Sequence, residues 1–149
     1  MLCVLQRVSQ AQVVVDGATL GSIGLGWLAL VGAEKGDAES DADWLADRIH
    51  GLRAFSDEAG KMNKAAADVG ASILVVSQFT LLANLSKGRR PGFDRSLEPA
   101  LASVLVDRVT AQLRERGLPV QTGRFGADMK VSLLNDGPVT FILNSRERT

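Results

Sequence analysis

Between Met129 and Leu143 two strand-like runs are interrupted by Asn135-Asp136-Gly137-Pro138-Val139-Thr140, and few six-residue stretches restrict a backbone so tightly. Val131 and Leu133 alternate with Lys130 and Ser132 before the interruption, and a second apolar run, Val139 to Leu143, follows it, so a turn between two strands is the first reading. Gly137 accepts backbone angles closed to other residues. Pro138 has no N–H and a fixed φ, and the tertiary amide between them can be cis at modest cost. Such a turn presents carbonyl oxygens and no side chain beyond the proline ring. That suits recognition of a small ammonium group, or of the space around a chiral carbon. Taken alone, however, a Gly-Pro pair reads as an ordinary hairpin turn.

The rest of the chain supplies a sheet for this turn to sit in. Leu2 to Val8 and Ala11 to Val15 read as strands, and Asp16-Gly17 turns the second into Ala18 to Ile23. Trp27 to Val31 is an unbroken apolar run suited to a strand covered on both faces, so the chain is expected to open as an antiparallel meander. Ser40 and Asp43 are spaced as a capping box ahead of Trp44, Leu45, Ile49 and Leu52 at helical intervals. A small hairpin is expected around Asp57-Glu58-Ala59-Gly60. Ser72 to Val76 reads as a central buried strand that delivers Ser77-Gln78-Phe79-Thr80 to the start of a long loop, Leu82 to Ser96. A second helix is expected from Leu97 to Arg116, with Pro99 in its first turn and a stripe of Leu101, Val104, Leu105, Val109 and Leu113. Val120 to Thr122, Lys130 to Leu134 and Val139 to Leu143 complete about eight strands. The expectation is an α+β chain: a single domain over residues 1–149, a mainly antiparallel, barrel-like rolled sheet and two principal helices.

Composition narrows the chemistry. Lys plus Arg and Asp plus Glu number 17 each, so a broad phosphate-gripping surface is not expected, although a local one is permitted. Lys87, Arg89 and Arg90 form the densest basic cluster and are candidates for phosphate contacts; a solvated charged loop explains them equally well. Cys3 is the only cysteine and His50 the only histidine. Neither has the neighbours of a nucleophile or a metal ligand, so both read as structural and no metal or cofactor is called for. Arg7, between Gln6 and Val8 in a strand, reads as solvent-facing. No apolar run nears the roughly 20 residues of a membrane-spanning helix, and a cytoplasmic location is expected.

Two motifs at their spacing change the odds on the turn. SQFT at residues 77–80 and NDGPVT at residues 135–140 are joined by LQRVSQAQVVVDG, GWLALVGAEKGD, DADWLADRI, GKMN, KGRRPGF and TGRFGADMKVSLL, in order along the whole chain. Together these resemble the D-aminoacyl-tRNA deacylases, also called D-tyrosyl-tRNA deacylases. The resemblance implies an aminoacyl-tRNA ester hydrolase and a homodimer with active sites at the interface. Ser77, Gln78, Phe79 and Thr80 would then sit beside the terminal adenosine, and Phe125 would line the adenine pocket. Gly137-Pro138, as a cis pair, would enter the partner subunit's site and exclude L-side chains, with Arg7, Asn135 and Thr140 holding it. It also implies broad D-specificity with some acceptance of glycyl-tRNA. After RPGF this chain has Ser96-Leu97 where alanines are usual, which bears on the loop facing RNA.

The residues themselves leave alternatives. Phe79 and Phe125 are also plausible core residues, and Thr80, the obvious side-chain nucleophile, has no visible base. A strand end can instead present the N–H groups of Phe79 and Thr80 to a developing oxyanion, which is what an already activated ester needs. Two other functions fit in part: a non-catalytic module for single-stranded nucleic-acid ends, and an editing deacylase that admits a small L-amino acid.

Overall fold

The structure is a computed structural model and describes residues 1–148. Strand β1 (Leu2–Val15) turns through Asp16 and Gly17, both at positive φ, into β2 (Ala18–Ile23), as a two-residue hairpin connection requires. The expected meander does not form. Strand β3 (Gly26–Gly32) pairs with β1, giving the order β2-β1-β3. The cause is the length of β1: β2 occupies only Ala11 to Val15, which leaves Leu2 to Val8 free to pair with β3.

Helix α1 (Glu39–Gly51) begins before Ser40, and the Asp41 carboxylate accepts the Ala38 N–H at 2.8 Å. The expected Ser40–Asp43 box is absent because Asp43 is engaged elsewhere, accepting two hydrogen bonds from Arg108 at 2.7 and 2.9 Å. Strands β4 (Phe55–Ser56) and β5 (Met62–Lys64) make the expected small hairpin. Strand β6 (Ser72–Ser77) runs parallel to β3 on one side and to β7 (Val120–Thr122) on the other. The sheet is thus antiparallel through β1 and parallel through β6.

In α2 (Pro99–Glu115) Leu105, Val109 and Leu113 are buried as expected. Leu101 and Val104 are not: they stay 54% and 58% exposed, and Ala102 and Val106 turn inward instead. The first turns of this helix border a cavity that Pro99, Ala102 and Val106 line, so the inner face there is set by the cavity and not by the stripe.

Two apolar clusters lie on opposite faces of the sheet. Trp27, Ala29, Val31, Ile73 and Val75 pack toward the helices with Leu45, Ile49, Val109 and Leu113, whereas Leu28, Leu74 and Val76 face the inside of the roll. The alternation on β3 and β6 is the period-2 rule applied to strands buried on both sides. β1 breaks the rule usefully. Cys3 and Leu5 face the helices, but Ala11 and Val13 face the roll, because register shifts on either side of Val8 reverse the side that odd residues present.

Strand β8 (Lys130–Asn144) is where expectation and structure differ most. The two runs about the Gly-Pro turn are not the arms of a hairpin; both pair antiparallel with β1 in one direction, as a single strand. The register steps from Asn135↔Val8 to Thr140↔Gln6, so five positions of β8 are taken up against two of β1. Asp136 to Val139 are therefore thrown out of the ladder as a large bulge, opposite the irregular part of β1.

Candidate active site

Strands β3, β6 and β7 run parallel, so their carboxyl ends fall on the same side, and a cavity of about 500 Å³ opens there. It is lined by the residues at and beyond each strand's end: Gly32 and Ala33 at the end of β3, Gln78 and Phe79 after β6, and Phe125 and Gly126 after β7. Crevices beyond the carboxyl ends of parallel strands are common ligand sites because the loops diverge there. The start of α2 closes a further side with Leu97, Glu98 and Pro99. A second depression, about 480 Å³, lies along β1, β2 and β8 and has no titratable side chain in its lining.

The end of β6 is tied down by main chain. The Gln78 N–H donates to the Val31 carbonyl at 2.8 Å, and a Cβ on Gly32 would lie 2.9 Å from the Gln78 carbonyl, so only glycine permits this approach. Residues Phe79–Leu82 then form one 3-10 turn whose first N–H groups, on Phe79 and Thr80, have no acceptor among the described residues. The Gln78 side-chain amide donates to the Thr80 hydroxyl, and no base contacts that hydroxyl among the described residues. Phe79 is 56% exposed, stacked edge-on against Phe93 with centroids 4.9 Å apart. Phe125 is 38% exposed at the cavity wall. Neither aromatic is a core residue.

Ser77, Gln78, Phe79 and Phe125 thus meet at one cavity, while Thr80 sits beside it on the same turn. Gly137 and Pro138 do not line that cavity; they are exposed on the β8 bulge, and the bond between them is cis. Arg7 is buried, contrary to the solvent-facing reading. Its Nη1 donates to the Ala54 carbonyl at 2.7 Å and its Nε to the Asp136 carbonyl at 3.3 Å. The Ala54 carbonyl and the Asp136 carbonyl of the bulge together make burial of the guanidinium possible. Asn135 closes the bulge from within: its side chain donates to the Thr140 hydroxyl at 3.1 Å and accepts the Val139 N–H at 3.3 Å.

Lys87, Arg89 and Arg90 are exposed in the loop beyond, outside the cavity lining. The lining includes one ammonium, Lys35, and one carboxylate, Glu98, and no histidine or cysteine. What such a site can offer a reaction is fixed backbone donors and an aromatic face.

The family model for D-Tyr-tRNA(Tyr) deacylase matches residues 4–144. The chain belongs to that family. A D-aminoacyl-tRNA deacylase of Geobacter sulfurreducens is 56% identical over 149 residues, covering 100% of this chain and 98% of the relative. A solved structure titled c-Myc DNA Unwinding Element Binding Protein is 37% identical and superposes with a TM-score of 0.91 over 97% of this chain and 98% of its own. A probable eukaryotic D-amino acid tRNA deacylase superposes at 0.81 over 95% of this chain and 97% of its own; at 16% identity it bears on the fold alone. Membership in the deacylase family makes the chain a hydrolase.

Sequence reasoning passed over Lys35, Phe93 and Glu98 as cavity residues. Lys35 follows β3, Phe93 lies in the loop after the 3-10 turn and Glu98 precedes α2, and only the parallel pairing of β3 with β6 and the start of α2 bring them together. Cys3 is fully buried and burial pushes its thiol pKa up, away from reactivity. No group of three or more potential metal ligands occurs among the described residues, and no helix there is long and apolar enough to cross a membrane.

Proposed function

We propose that this deacylase hydrolyses the ester between a D-amino acid and the terminal ribose of tRNA, releasing the free D-amino acid and tRNA, and rejects L-aminoacyl-tRNA by main-chain exclusion. The observation that carries this reading is the division of labour between the cavity and the bulge. The cavity provides Phe125 as a face for the terminal adenine and the free N–H groups of Phe79 and Thr80 for the oxyanion that forms as water adds to the carbonyl. The Thr80 hydroxyl, already accepting from Gln78, serves as a hydrogen-bonding group, and the substrate's own ribose hydroxyl assists the attacking water.

The bulge cannot act on the cavity of its own chain, whose lining excludes it. It acts on a second copy. The edge of β8 away from β1 has no strand partner among the described residues, and Leu134 and Ile142 on this strand are 56% and 71% exposed, a combination that invites coverage by another subunit. Inserted there, Gly137 and Pro138 fill the volume into which an L-side chain would project, while a D-side chain points outward. Backbone exclusion builds no pocket for any one side chain. Many D-aminoacyl esters are therefore accepted, and glycyl-tRNA, with nothing to exclude, is cleaved in part.

The test is deacylation of D-tyrosyl-, L-tyrosyl- and glycyl-tRNA by the wild type and by Pro138→Ala. The wild type should cleave the D-ester, spare the L-ester and cleave the glycyl ester more slowly; loss of the ring should let the L-ester react. Cleavage of L-tyrosyl-tRNA by the wild type overturns the exclusion mechanism, and a Glu98→Gln variant without activity overturns catalysis by backbone donors. One observation favours a second reading: the 37% identical structure is named for binding DNA. A module that only binds nucleic-acid ends would retain tRNA in a filter assay and turn over none of the three esters.

A further inference from the structure

We propose that Lys35 is the cation that receives the phosphodiester leading into the terminal nucleotide, and so positions the aminoacyl end in the cavity; this rests on the deacylase reading above. A formally neutral chain has no general surplus of positive charge to offer RNA, so a phosphate must find a cation not already neutralised. Two arginines near the cavity are committed, and a third, Arg124, is exposed and unpaired among the described residues but lies outside the lining. Arg95 pairs with Glu34 at 2.8 Å, and Arg146 pairs with Glu34 at 3.1 Å and Asp37 at 3.2 Å. Lys35 is the one basic residue in the lining, and its ammonium makes no ion pair or hydrogen bond among the described residues.

Its main chain, by contrast, is fixed at both polar groups. The Lys35 N–H donates to the Arg95 carbonyl at 2.9 Å, and its own carbonyl accepts from the Arg146 guanidinium. The Leu97 N–H donates to the Ala33 carbonyl at 3.0 Å, so residues 33–35 lie in a short antiparallel pairing about Glu34 and Ser96. Alternation along such a pairing puts Lys35 on the same side as Ala33, which also lines the cavity. An exposed, unpaired ammonium on an anchored backbone is what a phosphate site at a cavity mouth needs. Glu98 is the one carboxylate in the lining and repels an anion, which further restricts where the phosphate can enter. The Lys87–Arg90 loop, outside the lining, is left for contacts farther along the RNA.

The experiment compares wild type, Lys35→Ala, Lys35→Arg and a Lys87→Ala/Arg89→Ala/Arg90→Ala triple variant on D-tyrosyl-tRNA across a salt series. A parallel set uses D-tyrosyl-adenosine, which has no phosphodiester. For Lys35→Ala, KM on tRNA should rise roughly tenfold with kcat retained, and the slope of log KM against log salt should fall by about 0.7, the value for one phosphate contact on a single strand. Lys35→Arg should restore most of the loss. On D-tyrosyl-adenosine the effect should shrink below twofold. An unchanged KM and salt slope on tRNA, or an equal loss on both substrates, overturns the role of Lys35 while leaving the deacylase reading intact. If the wild type cleaves neither D-ester, the deacylase reading itself fails.

Discussion

Replacing Arg7 by Met keeps most of the apolar stem and removes the guanidinium, and the structure lets the cost be worked out contact by contact. The 2.7 Å bond to the buried Ala54 carbonyl is charge-assisted and worth about 1.5–3 kcal/mol. The bond to the Asp136 carbonyl is longer, 3.3 Å, and the ion pair to the Asp136 carboxylate, also 3.3 Å, involves a side chain 49% exposed, so together they add no more than about 1 kcal/mol. A total of about 1.5–4 kcal/mol follows, and for a chain of this size that lowers Tm by roughly 2–4 °C per kcal/mol. The functional effect should be larger than the stability effect, because the Asp136 carbonyl belongs to the bulge that carries Gly137 and Pro138. Urea unfolding gives the first quantity, and the ratio of D- to L-tyrosyl-tRNA hydrolysis gives the second. Asp136→Asn is the control: it leaves both carbonyl contacts in place and should cost about 0.5 kcal/mol or less. If Arg7→Met unfolds within 1 kcal/mol of the wild type and keeps the same D/L ratio, then neither its burial nor its grip on the bulge matters as argued.

Three further outcomes test separate parts of the site and scaffold. Gly137→Ala places a methyl group 2.7 Å from Val139 Cγ2 at a φ of +127°, so the bulge must shift. It should cost about 1–3 kcal/mol in unfolding experiments and lower the D/L ratio at least tenfold in deacylation assays. Phe125→Ala should raise KM for D-tyrosyl-tRNA by roughly 5- to 150-fold, the equivalent of ~1–3 kcal/mol of base stacking, with little change in Tm; an unchanged KM refutes the adenine contact. Hydrogen bonding from Arg108 holds the Asp43 carboxyl below its ordinary value of 3.8. A depressed carboxylate stabilises above its unfolded pKa and loses that contribution as pH falls through the folded one. The gap between wild type and Arg108→Met in urea midpoint should therefore be full at pH 7 and shrink below about pH 4.

Several elements were legible because local chemistry settles them. Asp16-Gly17 can hardly be other than a tight hairpin turn, Trp27 to Val31 and Ile73 to Val76 are too apolar to be anything but doubly covered strands, and Pro99 allows a helix to begin but not to pass through it. Arg7 and the Gly-Pro stretch were misread for a shared reason. Whether an arginine on a strand meets water or a carbonyl depends on what the opposite strand does, and a bulge looks like a hairpin turn when its two flanks are read without their common partner. The helical stripe of α2 failed at Leu101 and Val104 in the same way, since periodicity reports that a face is apolar and not where the core ends.

What the chain's order of residues determined by itself was the list of parts: the strands, two helices, the family, and the residues Ser77 to Thr80, Phe125 and Gly137-Pro138 as the ones to watch. Only the tertiary structure decided that β3, β6 and β7 run parallel and so gather Gln78, Phe125 and Lys35 about one opening, and that β8 is continuous and carries its bulge outside that opening. Pairing direction and register are set by contacts between residues as far apart as Val8 and Asn135, and no local pattern encodes them.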